Sequence, residues 1–144
     1  MPLPCSAFFN FLKNSLGESA FFGCKALRQI RIPSTVTALP PCVFKECESL
    51  KKVELCEGLI EIGNDAFYDC ESLRHVNIPS TVKTIGDWSF AHDSSLASLS
   101  LPDGIEGMGE YTFCNGRFTT FRIPPLITTI PEKLLCDCNT MFSL

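Results

Sequence analysis

A fixed period of 23 residues constrains this chain more than any other feature. Phe21, Phe44, Phe67, Phe90 and Phe113 fall in one column. Cys24, Cys47 and Cys70 fall in a second, continued by Asp93 and Gly116. Leu27, Leu50, Leu73 and Leu96 form a third, and Ile30, Val53, Val76 and Leu99 a fourth. Ile32, Leu55, Ile78 and Leu101 form a fifth, followed by Val36, Leu59, Val82 and Ile105, then Leu39, Ile62, Ile85 and Met108. One residue is lost after Phe113, and the columns resume at Phe118, Phe121, Ile123, Ile127, Ile130, Leu135 and Cys138. A period of this length marks a solenoid. One unit cannot enclose its own apolar side chains, but stacked units cover each other, so each column becomes a ladder inside the coil. A buried Phe or Leu contributes about 1.5–3 kcal/mol, which offsets the ordering entropy only when neighbouring rungs are present.

Each unit opens with a segment such as AFFGC, VFKEC, AFYDC, SFAHD or TFCNG, expected to form one helical or 3-10 turn on the outer side. A strand follows: LRQIRIP, LKKVELC, LRHVNIP, LASLSLP, FTTFRIP. Its second half alternates apolar and polar residues, as a half-buried strand does. Pro33, Pro79, Pro102 and Pro124 end it, because Pro cannot donate to a ladder. A second extended piece runs to Gly63, Gly86 or Gly109, where a positive φ or a tight turn is expected. Pro40 and Pro131 take that place in two units, and Pro excludes a positive φ.

The unit LxxVxIPxxVxxIGxxAFxxC, repeated over roughly residues 16–142, resembles the BspA-type leucine-rich repeat. The resemblance implies an α/β repeat solenoid: a right-handed leucine-rich-repeat coil with a parallel β-sheet on its concave face and short helical or 3-10 turns on its convex face. It also implies protein binding of an adhesion type and allows a cell-surface location. The expected organisation is a single domain over 1–144. Residues 1–19 form a degenerate first repeat or cap, 20–138 the regular repeats, and 139–144 a truncated last one. An uncapped last repeat exposes Leu135, Met141 and Phe142, which points to self-association through that end.

Nine cysteines suggest a disulfide scaffold when only counted. Their positions read differently. Cys24, Cys47, Cys70 and Cys138 share a core column, where a free thiol behaves as a small hydrophobe. Cys5, Cys42, Cys56, Cys114 and Cys136 read as ordinary substitutions at scattered phases. Reduced thiols favour the cytoplasm. No apolar run approaches the roughly 20 residues that span a bilayer, so no membrane insertion is expected. A basic region before the apolar patch Ala7–Leu12 is missing, which reads against a secretory signal. The formal charge of −4 gives no reason to expect nucleic acid or an anionic membrane as partner.

The candidate binding residues lie between the core letters of the strands. They form three rows: Arg28, Lys51 and Arg74; Gln29, Lys52 and His75; Arg31, Glu54 and Asn77. Glu46, Glu48, Glu57, Glu61, Asp65, Asp69 and Glu71 fall outside the strands, so an acidic chain carries a locally basic sheet. Such a face suits an acidic protein partner, with complementary charge setting on-rate and specificity. The plainer reading is a solvated sheet that needs polar side chains anyway. Cys136 and Cys138, with Cys114 nearby, lack the second ligand pair of a zinc site. His75 and His92 fall on a strand and on an outer turn, too far apart to work together. His92-Asp93 reads as surface variation, and Trp88 as outer-side packing. No phosphate-cradling glycine loop is present. These observations describe a non-enzymatic binding module without cofactor or metal. The alternative is a structural or regulatory repeat segment of a larger multidomain protein whose activity lies elsewhere.

Overall fold

The computed structural model describes residues 15–138. Eight short strands appear among them: β1 (Gln29–Ile32), β2 (Ala38–Leu39), β3 (Lys52–Leu55), β4 (Glu61–Ile62), β5 (His75–Asn77), β6 (Thr84–Ile85), β7 (Ser98–Ser100) and β8 (Gly107–Met108). They form two four-stranded parallel sheets, ordered β1-β3-β5-β7 and β2-β4-β6-β8. Gln29 pairs with Lys52, Val53 with Val76, and Val76 with Leu99. The pairing register is therefore the sequence period itself. Strand alternation places Ile30, Val53 and Val76 inside and their neighbours outside.

The predicted columns are the core. Phe44, Phe67, Phe90 and Phe113 are completely buried, as are Leu50, Leu73 and Leu96. The phenyl rings stack in series, with centroids 5.3, 5.4, 5.1 and 5.7 Å apart from Phe21 to Phe113. Each such pair adds about 0.5–1.5 kcal/mol to the burial of its area. Leu16 packs against the same cluster, in keeping with its place in the Leu39 column. Residues 1–14 of the degenerate first repeat or cap expected over 1–19, and the truncated repeat at 139–144, lie outside the described residues.

The outer side differs from the helical or 3-10 turn expected there. No helix forms among the described residues. The N–H of Phe44 leaves its own rung and donates to Ala66 O at 2.8 Å, and that of Phe67 donates to Ser89 O at 2.8 Å. The intervening N–H groups close local turns, such as Lys45 N to Cys42 O at 3.2 Å and Tyr68 N to Asp65 O at 3.1 Å. Two residues per rung carry a positive φ. One column is Ser19, Cys42, Asp65, Trp88 and Tyr111, with φ of 55, 58, 56, 58 and 56°. The other is Gly23, Glu46, Asp69, His92 and Asn115, with φ of 65, 60, 61, 62 and 64°. Left-handed residues recurring at this spacing exclude a helix. They cost roughly 1–2 kcal/mol each outside glycine, and the rung-to-rung hydrogen bonds they permit offset that.

Of the positive φ or tight turn expected at Gly63, Gly86 and Gly109, the φ is not positive, and a turn follows each directly. They are small because the next rung is close. A Cβ on Gly63 would stand 2.7 Å from Leu39 O and 2.9 Å from Pro41 N, and one on Gly86 would stand 2.7 Å from Asn64 N. In the space so left, Asn64 Oδ1 accepts from Asp87 N at 2.8 Å, and Asp87 Oδ1 accepts from Glu110 N at 2.9 Å.

The lost residue has a structural consequence. Earlier rungs close a turn between the thiol column and the leucine column, as in Leu50 N to Cys47 O at 3.0 Å and Leu96 N to Asp93 O at 2.9 Å. The run Gly116-Arg117-Phe118 is one residue too short for that turn. Phe118 still fills the leucine column, 1% exposed, and sits edge-on to Phe113 at 5.8 Å. The following segment, 119–123, forms no strand beside β7.

Candidate binding surface

The three expected rows are all solvent-exposed, two of them on the β1-β3-β5-β7 sheet and the third, Arg28, Lys51 and Arg74, on the residues just before its strands. Rung stacking brings Arg28, Lys51 and Arg74 side by side at one margin, Gln29, Lys52 and His75 next, and Arg31, Glu54 and Asn77 beyond. Parallel strands lie about 4.8 Å apart, so members of a row are neighbours.

The charges within these rows are unequally used. Lys52 Nζ lies 3.0 Å from Glu54 Oε1, and Arg31 Nε lies 3.9 Å from Glu54 Oε2. The hydrogen bond from Lys52 holds the Glu54 carboxyl below its ordinary pKa range. Arg31 is held above its own by a hydrogen bond to Cys56 and, less strongly, by the Cys56 and Glu54 charges. His75 is fixed between Ser98 Oγ at 3.2 Å and Asn77 Oδ1 at 3.0 Å. The side chains of Arg28, Lys51 and Arg74 make no ion pair or hydrogen bond among the described residues. Three like charges therefore stand unneutralised in one row.

The turn side carries the opposite sign. Asp65 pairs with Lys45 at 3.0 Å, Glu48 with Lys25 at 3.0 Å, and Glu57 holds Ser80 through Oγ at 2.9 Å and N at 3.1 Å. Glu61, read from sequence as outside the strands, sits in β4 of the second sheet. Trp88 packs on the outer side as expected, stacked on Tyr111 at 4.1 Å and tilted against Tyr68 at 6.1 Å. His92 also lies there, 3.0 Å from Asn115 Nδ2, well apart in the fold from His75 on the sheet.

Two readings require correction. Cys114 and Cys136 are not scattered substitutions: they are joined by a disulfide between adjacent rungs, with Cα atoms 4.6 Å apart. Asp137 offers a carboxylate oxygen within 4.8 Å of both sulfurs, but sulfurs bonded to each other do not offer a thiolate pair to a metal. Asp93 is not surface variation. It is fully buried, with Oδ1 accepting from Cys70 N at 2.8 Å and Oδ2 unpartnered. In the same column Cys47 Sγ donates to Phe21 O and Cys70 Sγ to Phe44 O, each at 3.1 Å.

Parallel rungs, two laddered sheets and a shared ladder core define a repeat solenoid of the leucine-rich-repeat class. Six copies of the BspA type leucine rich repeat region match residues 14–141, and the chain belongs to that family. The fold is similar to the leucine-rich repeat protein of T. pallidum, with a TM-score of 0.74 and 30% identity over 76% of this chain and 52% of that one. It is also similar to a leucine rich cell surface protein of Faecalibacterium prausnitzii, with a TM-score of 0.65 and 25% identity over 88% of this chain and 42% of the other. The pneumococcal vaccine antigen PcpA shares the fold, with a TM-score of 0.65 and 20% identity over 90% of this chain and 32% of its own. This chain thus spans about half the length of the first of these proteins and less of the other two. No curated protein matches it in sequence.

Proposed function

We propose that this chain is a non-enzymatic protein-binding module that engages an acidic protein segment through the β1-β3-β5-β7 sheet. The observation that supports this reading is the row Arg28, Lys51 and Arg74. Those three cations have no counterion among the described residues, while Lys52 and Arg31 beside them share Glu54. Like charges held side by side where adjacent strands begin repel one another, and an anion arriving from outside relieves that repulsion. Complementary charge of this kind speeds encounter and excludes wrong partners. An oxidising, cell-surface setting and an adhesive role fit the Cys114–Cys136 disulfide and the neighbour named as a cell surface protein. The test is fluorescence anisotropy with a labelled poly-glutamate peptide. Reversing Arg28, Lys51 and Arg74 to Glu removes binding and leaves the circular dichroism spectrum intact. Reversing Lys25 and Lys83, which already have carboxylate partners, leaves binding in place. Equal affinity for both variants contradicts the proposal.

A second reading, a repeat segment within a larger assembly or one that self-associates end to end, draws on one observation. Ile130 continues the column of buried Leu39, Ile62 and Ile85, yet it is 65% exposed. Leu135 is half-buried, while Met141 and Phe142 lie outside the described residues. Light scattering over a concentration series separates this from a monomeric module, and Ile130→Lys abolishes any self-association that uses this face.

A further inference from the structure

The last described rung is attached differently from the others. Both strand ladders stop before it, at β7 and β8. Residues 118–131 make no main-chain hydrogen bond to the preceding rung among the described residues. A cavity of about 190 Å³, lined by Ser98, Leu99, Phe121 and Arg122 among others, lies where that pairing would be. Between its ends the rung is held by side chains alone, with Phe121 packed on Phe113 at 5.1 Å and Arg122 paired with Asp103 at 2.7 Å. Its main-chain hydrogen bonds to the preceding rung are confined to its two ends. Arg117 N donates to Leu96 O at 3.1 Å. On the turn side, Tyr111, Phe113 and Asn115 donate to Glu132, Leu134 and Cys136 at 3.2, 3.0 and 2.8 Å. The Cys114–Cys136 disulfide sits in that same turn and closes a loop of sequence separation 22 around the unpaired stretch.

We propose that this disulfide is a redox-modification site whose opening by an external thiol releases residues 117–138 and leaves the four paired rungs folded. Cys114 is 4% exposed, whereas Cys136 is half-buried, so the attack is assigned to Cys136 Sγ, on the more accessible residue of the pair. A thiolate bonds to Cys136 Sγ. The S–S bond breaks, and its electron pair leaves on Cys114, which takes up a proton. A second thiol then displaces Cys136. The net change is two external thiols oxidised to one disulfide and the protein disulfide reduced to two thiols. The core thiols do not compete for Cys114 or Cys136. Cys47, Cys70 and Cys138 each point at a main-chain carbonyl of the phenylalanine column one rung back, on Phe21, Phe44 and Phe113. Once the bond is open, a rung with no strand partners retains its turn contacts, the packing of Phe118 and Phe121 and the exposed Arg122–Asp103 pair, and local opening is cheapest where paired backbone is fewest.

Hydrogen exchange with mass spectrometry tests this on the whole chain, with and without dithiothreitol. A non-reducing digest first yields the linked Cys114–Cys136 peptide pair. On reduction, amide exchange over 117–138 rises about ten-fold or more, while peptides carrying β1, β3 and β5 stay within about two-fold. The Cys114→Ser/Cys136→Ser variant shows the same pattern without reductant, and Cys138→Ser does not. If that double variant fails to fold, chemical reduction of the natural chain decides alone. Unchanged exchange over 117–138 after reduction overturns the proposal, as does a rise spread equally over all rungs or an oxidatively refolded chain that lacks the linked peptide.

Discussion

The main-chain N–H of Cys70 donates to Oδ1 of Asp93 at 2.8 Å, from one rung to the next, inside the thiol column. No other rung places an ionisable carboxyl there: the column otherwise holds Cys24, Cys47, Cys70, Gly116 and Cys138. Burial drives the Asp93 pKa well above the ordinary carboxylate range, the Cys70 N–H pulls it partly back, and the Asp69 charge raises it further. The opposite oxygen has no partner among the described residues.

A raised folded-state pKa fixes the direction of the pH effect. The stability tied to Asp93 is fully present below the unfolded carboxyl pKa, about 3.9, and is lost as pH rises through the folded value. At neutral pH the chain carries this as a cost. Asp93→Cys restores a thiol aimed at Phe67 O, as Cys47 and Cys70 are aimed at Phe21 O and Phe44 O. The variant is expected to gain about 1–3 kcal/mol at pH 7.5 and to lose the pH dependence between there and pH 5. Urea midpoints at the two pH values check this, and equal midpoints for both proteins at both values contradict it.

Two glycine substitutions separate close approach from flexibility. Gly86→Ala drives a Cβ to 2.7 Å from Asn64 N and onto Asn64 Oδ1, so neighbouring backbone has to move. A loss of about 1–3 kcal/mol follows. Gly107→Ala meets only Thr84 Cγ2 at 3.5 Å, an ordinary contact within β8. There the variant gains about 0.5–1 kcal/mol, the usual advantage of Ala over Gly inside an element. Thermal melts of the two proteins should move in opposite directions.

The core thiols should be silent in the folded chain. Cys47 and Cys70 are completely buried. Burial, followed by the Asp93 charge, pushes the Cys70 thiol well above its ordinary pKa, so thiolate is scarce. Iodoacetamide is expected to label the half-buried Cys42 and Cys56 first and to reach Cys47 and Cys70 only at the rate of global unfolding. Mass spectrometry of a labelling time course reads this directly. Early labelling of Cys70 would show that the column is open.

The columns were legible because translation along the chain by one period reproduces the contact environment: Phe44, Phe67 and Phe90 have the same spacing in sequence and the same place in the stack. The exposed rows through Gln29, Lys52 and His75 and through Arg31, Glu54 and Asn77 followed from strand alternation; Arg28, Lys51 and Arg74 are exposed because they lie just before the strands. The pairing of Lys52 and Arg31 with Glu54 did not, because rotamers and not register decide which neighbour a long side chain meets. Asp93 misled because its letters resemble a solvated turn, although its column position marked it as interior. The disulfide was visible in principle. In the shortened last unit Cys136 falls one rung length, 22 residues, after Cys114. The turn geometry was not visible, since left-handed φ at Trp88 or Tyr111 contradicts local preference and is imposed by hydrogen bonds between rungs.

Everything placed on the sheet, including the cation row, depends on nearest-neighbour stacking. Double-mutant cycles measure it. Phe44→Leu with Phe67→Leu, rings 5.4 Å apart, should show a coupling of about 0.5–1.5 kcal/mol. Phe21→Leu with Phe90→Leu, three rungs apart in the column, should be additive within about 0.3–0.5 kcal/mol. A distant pair coupled as strongly as the adjacent one, or an adjacent pair with no coupling, would contradict the stacked solenoid and the binding face built upon it.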